Sequence, residues 1–366
     1  MPKQPAIPKP PRNDEVGSKS LTAAEMPEWL DAGRVSASSM HALYSGMAAS
    51  TREGDPVRIL WLYSGDDHVS VGASQNPAAD LDLAACAAQG VPVLRRPLGG
   101  GAVWVETDQP CFFLVLPRNK LARGHRHLFS LGMGLAMGVL RLLGLESVEA
   151  RSQDIWIHGR KIMGTGAATL DKGCVFGASF LRRFPAERFL SCVFAPSDGY
   201  REWVLPALRE GVTDCEREMS PPPVASDFRD AMHVAVRQRF GVLPLMRELD
   251  PALRDAWITR GREELDDLEQ GQTRPAVPSG IRINRANHVF ETDSRCGRLR
   301  LHLTGTVIRR IWCEDPRINA VLQARAVGLA PERLVLRGSL SQGVGPSLAD
   351  EISCRVDALY RGIRTP

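Results

Sequence analysis

Short apolar runs, bounded by glycine, proline and aspartate, recur along the first two-thirds of the chain. That is the pattern of buried strands. Ile59–Tyr63 and Val69–Val71 read as two strands, and Ser64-Gly65-Asp66-Asp67 between them is a hairpin signal. Val91, Val93 and Leu94 form another short strand. Ala102–Val105 and Cys111–Leu116 bracket the polar Glu106-Thr107-Asp108-Gln109-Pro110. From Ile155 to Phe180 the pattern is strand, hairpin and strand, turning at His158-Gly159. Helical spacing appears elsewhere. Ser36, Ser38 and Ser39 are candidate N-caps for a helix within Trp29–Thr51. Leu81–Ala88 and Pro185–Leu190 read as short helices. Arg126–Leu143 reads as a central helix whose small residues allow close packing on a sheet. Asp227–Phe240 places Ala231, Val234 and Ala235 on one face. Strand pairs with interleaved helices predict an α+β domain over residues 26–247, with mixed and antiparallel sheets.

The pattern changes after that. Glu248–Gln270 reads as a charged linking helix, and Gly271–Gly280, with Pro275 and Pro278, as a linker, so 248–280 joins two units. Residues 281–366 predict a small α/β unit: strands at His288–Glu291, Leu299–Leu303 and Val307–Trp312, helices at Ile318–Val327 and Leu348–Tyr360. Residues 1–25 read as a flexible tail without the apolar core of a signal peptide. The longest apolar run is free of charge only over Leu128–Leu140, too short to span a bilayer.

Composition narrows the function classes. The chain has 366 residues, 43% hydrophobic and 24% charged, which is ordinary globular usage. A net charge of +4 is too small to argue for nucleic acid and suits an acidic nucleotide or protein partner. Eight cysteines lie scattered, with no C-x-x-C and no zinc spacing. They read as reduced thiols in a cytoplasmic protein.

Two stretches carry candidate chemistry. In Leu94-Arg95-Arg96-Pro97-Leu98-Gly99-Gly100-Gly101-Ala102-Val103, the glycines let a ligand lie against bare backbone, and successive N–H groups can form an anion nest. Arg95 and Arg96 add forked donors suited to carboxylate or phosphate. In Asp154-Ile155-Trp156-Ile157-His158-Gly159-Arg160-Lys161-Ile162-Met163-Gly164-Thr165, a lysine beside a hairpin turn can aim its ammonium into a pocket. There it could draw on a carboxylate oxygen and an α-phosphate together. A glycine turn with solvated arginines and an exposed basic hairpin are the plain alternatives for each stretch alone.

Together the two stretches resemble the lipoate–protein ligase family, whose pattern is RR-x-S-GGG-A-V followed by N-D-I and G-[KR]-K-[IL]-x-G-[ST]. A third piece, Val69-Ser70-Val71-Gly72-Ala73-Ser74-Gln75-Asn76-Pro77, is similar to the family's strand ending in G-R-x-Q-N. The resemblance covers roughly residues 28–245. The chain departs from the pattern at Leu98 (usually Ser or Thr), Val105 (usually His), Ala73 (usually Arg) and Gln153 (usually Asn). Val175-Phe176-Gly177-Ala178 keeps only the glycine of H-H-G-T. Residues 281–366 resemble the small accessory domain of many such ligases in pattern only.

The resemblance implies a biotin/lipoyl ligase-like fold and ATP-dependent transfer of lipoate or octanoate, through an acyl-adenylate, to a lysine of a lipoyl-domain or H-protein-like acceptor. It implies no nucleic-acid or membrane partner. Lys161 would hold the carboxylate and α-phosphate. Arg95, Arg96, Gly99, Gly100, Gly101, Ala102, Val103, Gly164, Thr165 and Gly72 would line the acyl and phosphate site. Asp154 would orient Lys161 or bind Mg²⁺. Val71, Val103 and Trp156 are candidate walls of an acyl tunnel. One rival is an ATP-independent octanoyl or lipoyl transferase working through a cysteine thioester, with Cys192 as nucleophile and Cys174 as the weaker candidate. Another is a non-catalytic module that binds lipoylated proteins. Biotin ligase is disfavoured, because its G-R-G-R-x-G-R pattern is absent.

Overall fold

A computed structural model describes residues 26–121, 124–269, 277 and 279–364. The tail expected at 1–25 and most of the linker expected at 271–280 lie outside the described residues. The chain runs β1 (Glu28–Val35), α1 (Ala37–Ala49), β2 (Arg58–Ser64), β3 (His68–Gly72), α2 (Pro77–Asp80), α3 (Leu83–Ala88), β4 (Val93–Arg96), β5 (Val103–Val105) and β6 (Pro110–Pro117). It continues through α4 (His125–Leu142), β7 (Glu149–Arg151), β8 (Asp154–Ile157), β9 (Arg160–Leu170), β10 (Gly173–Ser179), α5 (Ala186–Cys192), α6 (Asp198–Gly211), α7 (Cys215–Glu218), α8 (Ala225–Phe240) and β11 (Leu245–Arg247). Then follow α9 (Pro251–Glu269), β12 (Gly280–Arg282), β13 (Asn287–Ser294), β14 (Gly297–Thr304), β15 (Val307–Cys313), α10 (Pro316–Arg325), α11 (Arg333–Val344) and α12 (Pro346–Arg364).

β6 is apolar at every position between its two prolines, and all of it is buried. Such a strand needs cover on both faces, and it sits inside an eight-stranded sheet of order β11-β1-β2-β6-β10-β9-β8-β7. β1 pairs parallel with β2 and β11, while the other pairs are antiparallel. On one face α4 lies so close that a Cβ at Gly132 would stand 2.3 Å from the Phe176 ring, which explains the small residues of that helix. α1 covers the other face and is buried nearly all round, because α9 packs on its outer side. Gly46 and Gly261 make that approach possible: a Cβ at Gly46 would meet the Trp257 carbonyl oxygen at 1.7 Å. The helix expected as a link, α9, is therefore packed tightly on α1.

A three-stranded sheet, order β4-β3-β5, forms a second layer. Here the structure corrects the hairpin expected at Ser64–Asp67. β2 and β3 do not pair; the turn hands the chain from the large sheet to the small one. The Ser64 hydroxyl donates to the Asp66 carbonyl at 2.8 Å and fixes that exit. Strand β1, with its partly buried EWLDAGRV sequence, was not anticipated before the Ser36 cap. The C-terminal unit is a four-stranded sheet, order β12-β13-β14-β15, under α10, α11 and α12, with its own apolar core. Among the described residues no helix is long and apolar enough to cross a membrane.

Candidate active site

β4 ends in the two arginines, and they face different ways. Arg96 is buried. Its Nη1 donates to the Ser70 carbonyl at 2.5 Å and to Ser70 Oγ at 3.2 Å. Its Nη2 donates to the carbonyls of Gly99 at 3.1 Å and Gly101 at 2.9 Å. The loop thus wraps its carbonyls round a guanidinium. Burial pushes the Arg96 pKa down to about 10, so it stays charged at neutral pH. With those carbonyls turned inward, the Gly99, Gly100 and Gly101 N–H groups donate to no acceptor among the described residues. Unpaired successive amides of this kind are the donors from which an anion nest can be made. Gly100 has φ +104°, and a Cβ at Gly72 would stand 2.0 Å from the Gly100 oxygen, so both positions require glycine.

Arg95 turns away. It donates to the carbonyls of Leu268 on α9 and Ala73, each at 2.5 Å, and it does not line the cavity described below. The sequence expectation that Arg95 contacts substrate gives way to a tie between β4 and the linking helix.

The second stretch forms the β8–β9 hairpin. His158 (φ +48°) and Gly159 (φ +76°) make its turn. Lys161 Nζ lies 2.9 Å from Asp154 Oδ1. The lysine runs along its own strand over Gly164, where a Cβ would stand 3.2 Å from Nζ. Thr165 Oγ1 donates to the Gln153 carbonyl at 2.6 Å, which holds the start of β8. Arg160 pairs instead with Glu218 at 2.8 Å, outside the cavity.

The two stretches meet in one cavity of about 630 Å³. Lys161, Asp154, Gly164, Thr165, Arg96, Gly100, Gly101, Ala102 and Val103 all line it. Gly72, Gly99, Val71 and Trp156 do not; Gly72 shapes the loop from behind, and Val71 and Trp156 belong to the core. The sequence reading missed several lining groups. Met40, His41 and Tyr44 come from α1, Phe113 and Cys111 from β6, and Arg282 to Arg285 from the C-terminal unit. Their signal was weak, since each comes from an element with no motif. His41 Nδ1 meets Tyr44 Oη at 3.1 Å, and Tyr44 stacks on Phe113 with centroids 4.1 Å apart. Burial, then the charges of His68 and Arg96, holds the His41 pKa well below the usual histidine range, so its ring is neutral.

The departures from the family pattern have physical counterparts. Leu98 is buried against β9 and β10, where Gly166 and Gly177 leave room for it: a Cβ at Gly177 would stand 2.6 Å from Leu98 Cδ1. Val105 is also buried, in the same cluster. The cavity wall there is hydrocarbon where the pattern has hydroxyl and imidazole.

The candidate nucleophiles are badly placed. Cys192 is fully buried at the end of α5, where its carbonyl accepts from the Cys86 thiol at 3.7 Å, and it does not line the cavity. Cys174 is likewise buried and away from the cavity. Cys111 does line it, but burial pushes its thiol up to about 12, which leaves almost no thiolate. Among the described residues no cluster of three or more His, Cys, Asp or Glu could cage a metal. Asp154 offers a single carboxylate, already paired with Lys161. That suits Mg²⁺ only in its usual role, held by one or two carboxylates and substrate phosphates.

A model of the lipoyl protein ligase A/B catalytic domain matches residues 39–237. The chain is 29% identical over 120 residues to a lipoate–protein ligase of Streptococcus pyogenes, covering 32% of this chain and 34% of that protein. The matched stretch spans 23% to 48% of the length of the curated relatives it matches. Among solved structures, the fold is similar to a bi-partite lipoate protein ligase of Thermoplasma acidophilum, described with its E2 lipoyl domain (TM-score 0.57, 19% identity, 66% of this chain and 92% of that one). It is similar to a lipoate-protein ligase A bound with ATP (TM-score 0.55, 18% identity, 67% and 97%). A P. falciparum structure in complex with lipoate covers 91% of this chain and 99% of its own (TM-score 0.51, 12% identity). A glycine loop ordered by Arg96, a Lys–Asp pair lining the same cavity, and a family model over more than half the chain converge. The chain belongs to the lipoyl protein ligase A/B catalytic domain family.

Proposed function

We propose that this protein joins lipoate, or octanoate, to a lysine of a lipoyl-domain acceptor in two ATP-dependent steps. The observation that carries this reading is the Lys161–Asp154 pair, facing the same cavity as the amides of the glycine loop. In the first step a carboxylate oxygen of the acid attacks the α-phosphorus of ATP. The bond to the bridging oxygen breaks, and pyrophosphate leaves. The Lys161 ammonium stabilises the negative charge that builds on the α-phosphoryl oxygens, and Asp154 holds it in place. Mg²⁺ would be held by the phosphates and at most one carboxylate, Asp154, and would neutralise phosphate charge. In the second step the ε-amine of the acceptor lysine attacks the acyl carbonyl carbon, AMP leaves, and the amine loses its proton to solvent. The apolar part of the cavity, with Leu98, Val103 and Phe113 in its wall, suits an alkyl chain.

The ATP-independent transferase reading has little support, because Cys192 is buried away from the cavity. A binding module would not need the Lys161–Asp154 pair. The acceptor is a lipoyl domain by analogy with the Thermoplasma protein; an H-protein-like acceptor is the second candidate.

The test is the intact mass of a lipoyl domain after incubation with this protein and lipoate, with and without ATP and Mg²⁺. A lipoyl-sized gain only with ATP is expected. A gain from octanoyl-acyl-carrier protein without ATP would overturn the reading in favour of the transferase.

A further inference from the structure

Arg282 is the last residue of β12, and it is exposed on the rim of the cavity. It belongs to the C-terminal unit, yet it reaches the glycine loop: a Cβ at Gly101 would stand 4.0 Å from its Nη2. Its guanidinium forms no hydrogen bond and no ion pair among the described residues. Three carboxylates line the cavity, and each is engaged, Asp80 among them. Asp154 pairs with Lys161 at 2.9 Å, and Glu291 with Arg300 at 2.6 Å. Its cross-strand partner His288 is a neutral ring, its pKa pushed down to about 4 by burial and then by the Arg282 charge. Among the described residues the Arg282 guanidinium therefore has no counter-charge bonded to it, and it stands beside Gly101, whose amide has no acceptor among those residues either.

The turn that carries it is built, not loose. Ile283 is buried in the apolar cluster under α6. Asn284 Nδ2 donates to the Gly211 carbonyl at 3.0 Å, while its Oδ1 accepts from the backbone N–H of Ala286 and Asn287, each at 2.9 Å. Arg285 is held by Gln153 Oε1 at 3.2 Å. A guanidinium carried on an ordered turn, next to backbone donors without an acceptor, matches a polyanion of adjacent phosphates.

We propose that Arg282 is a polyphosphate contact: the C-terminal unit completes, with the Gly100 and Gly101 amides, the subsite for the β- and γ-phosphates of ATP and for the pyrophosphate that leaves. This rests on the ligase reading. It adds that nucleotide binding ties the C-terminal unit to the catalytic unit through one side chain.

Calorimetric titration of the full-length protein with ATP–Mg²⁺, with inorganic pyrophosphate and, separately, with lipoate tests it. In Arg282→Gln, ATP and pyrophosphate affinity should fall by about 10- to 100-fold, the range for a charge-assisted hydrogen bond. Arg282→Lys should recover part of that loss, and lipoate affinity should stay unchanged. Arg285→Gln removes an equal charge from the same turn and should change ATP affinity by no more than about threefold, as a rim charge does. Unchanged ATP and pyrophosphate affinity in Arg282→Gln overturns the proposal. So does an equal loss in Arg285→Gln, which would mean a general field, or an equal loss for lipoate, which would mean a structural role. If the wild-type protein bound lipoate and neither ATP nor pyrophosphate, the ligase reading would fall as well.

Discussion

Arg96 on the floor of the cavity and Arg282 on its rim are both guanidinium groups within reach of the Gly99–Gly101 loop, but their surroundings differ. Arg96 donates four hydrogen bonds to its own chain and is buried. Arg282 donates none among the described residues and is exposed. The first charge shapes the loop by holding its carbonyls. The second is left for a ligand. A conspicuous motif arginine can thus be part of the scaffold, while an arginine outside any motif is free to bind.

The largest expected effect is on catalysis. Lys161→Ala should slow acyl-adenylate formation by about 10²- to 10³-fold or more, the range for losing one aligned donor to developing charge. The circular-dichroism melt should also fall, because Asp154, only 11% exposed, loses its partner, so rates are compared at a temperature where both proteins are folded. A rate within threefold of wild type would remove Lys161 from the mechanism.

Next comes the comparison of the two arginines on stability. Arg96→Ala strands the carbonyls of Ser70, Gly99 and Gly101 and should cost about 3 kcal/mol or more in urea unfolding. Arg282→Ala should cost no more than about 0.5 kcal/mol. Similar losses for the two would break the distinction between scaffold and ligand-binding charge.

Acidity sharpens the same point through neutral buried groups. His41, His68, His288 and His302 all have lowered pKa values, chiefly from burial, the last two at about 4. Below the ordinary histidine pKa of about 6.5 the unfolded chain binds more protons than the folded one. Stability should therefore fall as pH drops from about 6.5 toward 4. A urea midpoint that is flat between pH 7.5 and 5 would contradict this. The smallest effect is expected for Cys192→Ser, which should leave the ATP-dependent rate within about twofold, since that thiol lies away from the cavity.

Much of the site was legible in the sequence because its backbone constraints leave marks there. A Cβ at Gly72 would collide with the loop, one at Gly164 would crowd Lys161, and Gly100 holds a positive φ of +104°. The Asp154–Lys161 spacing placed both side chains on one hairpin. The strand-and-helix pattern gave the α+β class. What stayed hidden depended on tertiary neighbours. Arg95 and Arg96 are adjacent in a strand, so they point to opposite sides, and the chain alone does not say which side is the cavity. The Ser64–Asp67 turn looks like a hairpin, but the strands on either side of it join different sheets. His41, Cys111 and Arg282 reach the cavity only because α1, β6 and β12 converge on it.

The most direct measurement is mass-spectrometric detection of the small molecule formed when the protein is given lipoate, ATP and Mg²⁺ with no acceptor. The account predicts lipoyl-adenylate, with pyrophosphate released in equal amount, unchanged in Cys192→Ser and lost in Lys161→Ala. No adenylate from wild type, or an acyl thioester on Cys192 in its place, would contradict it.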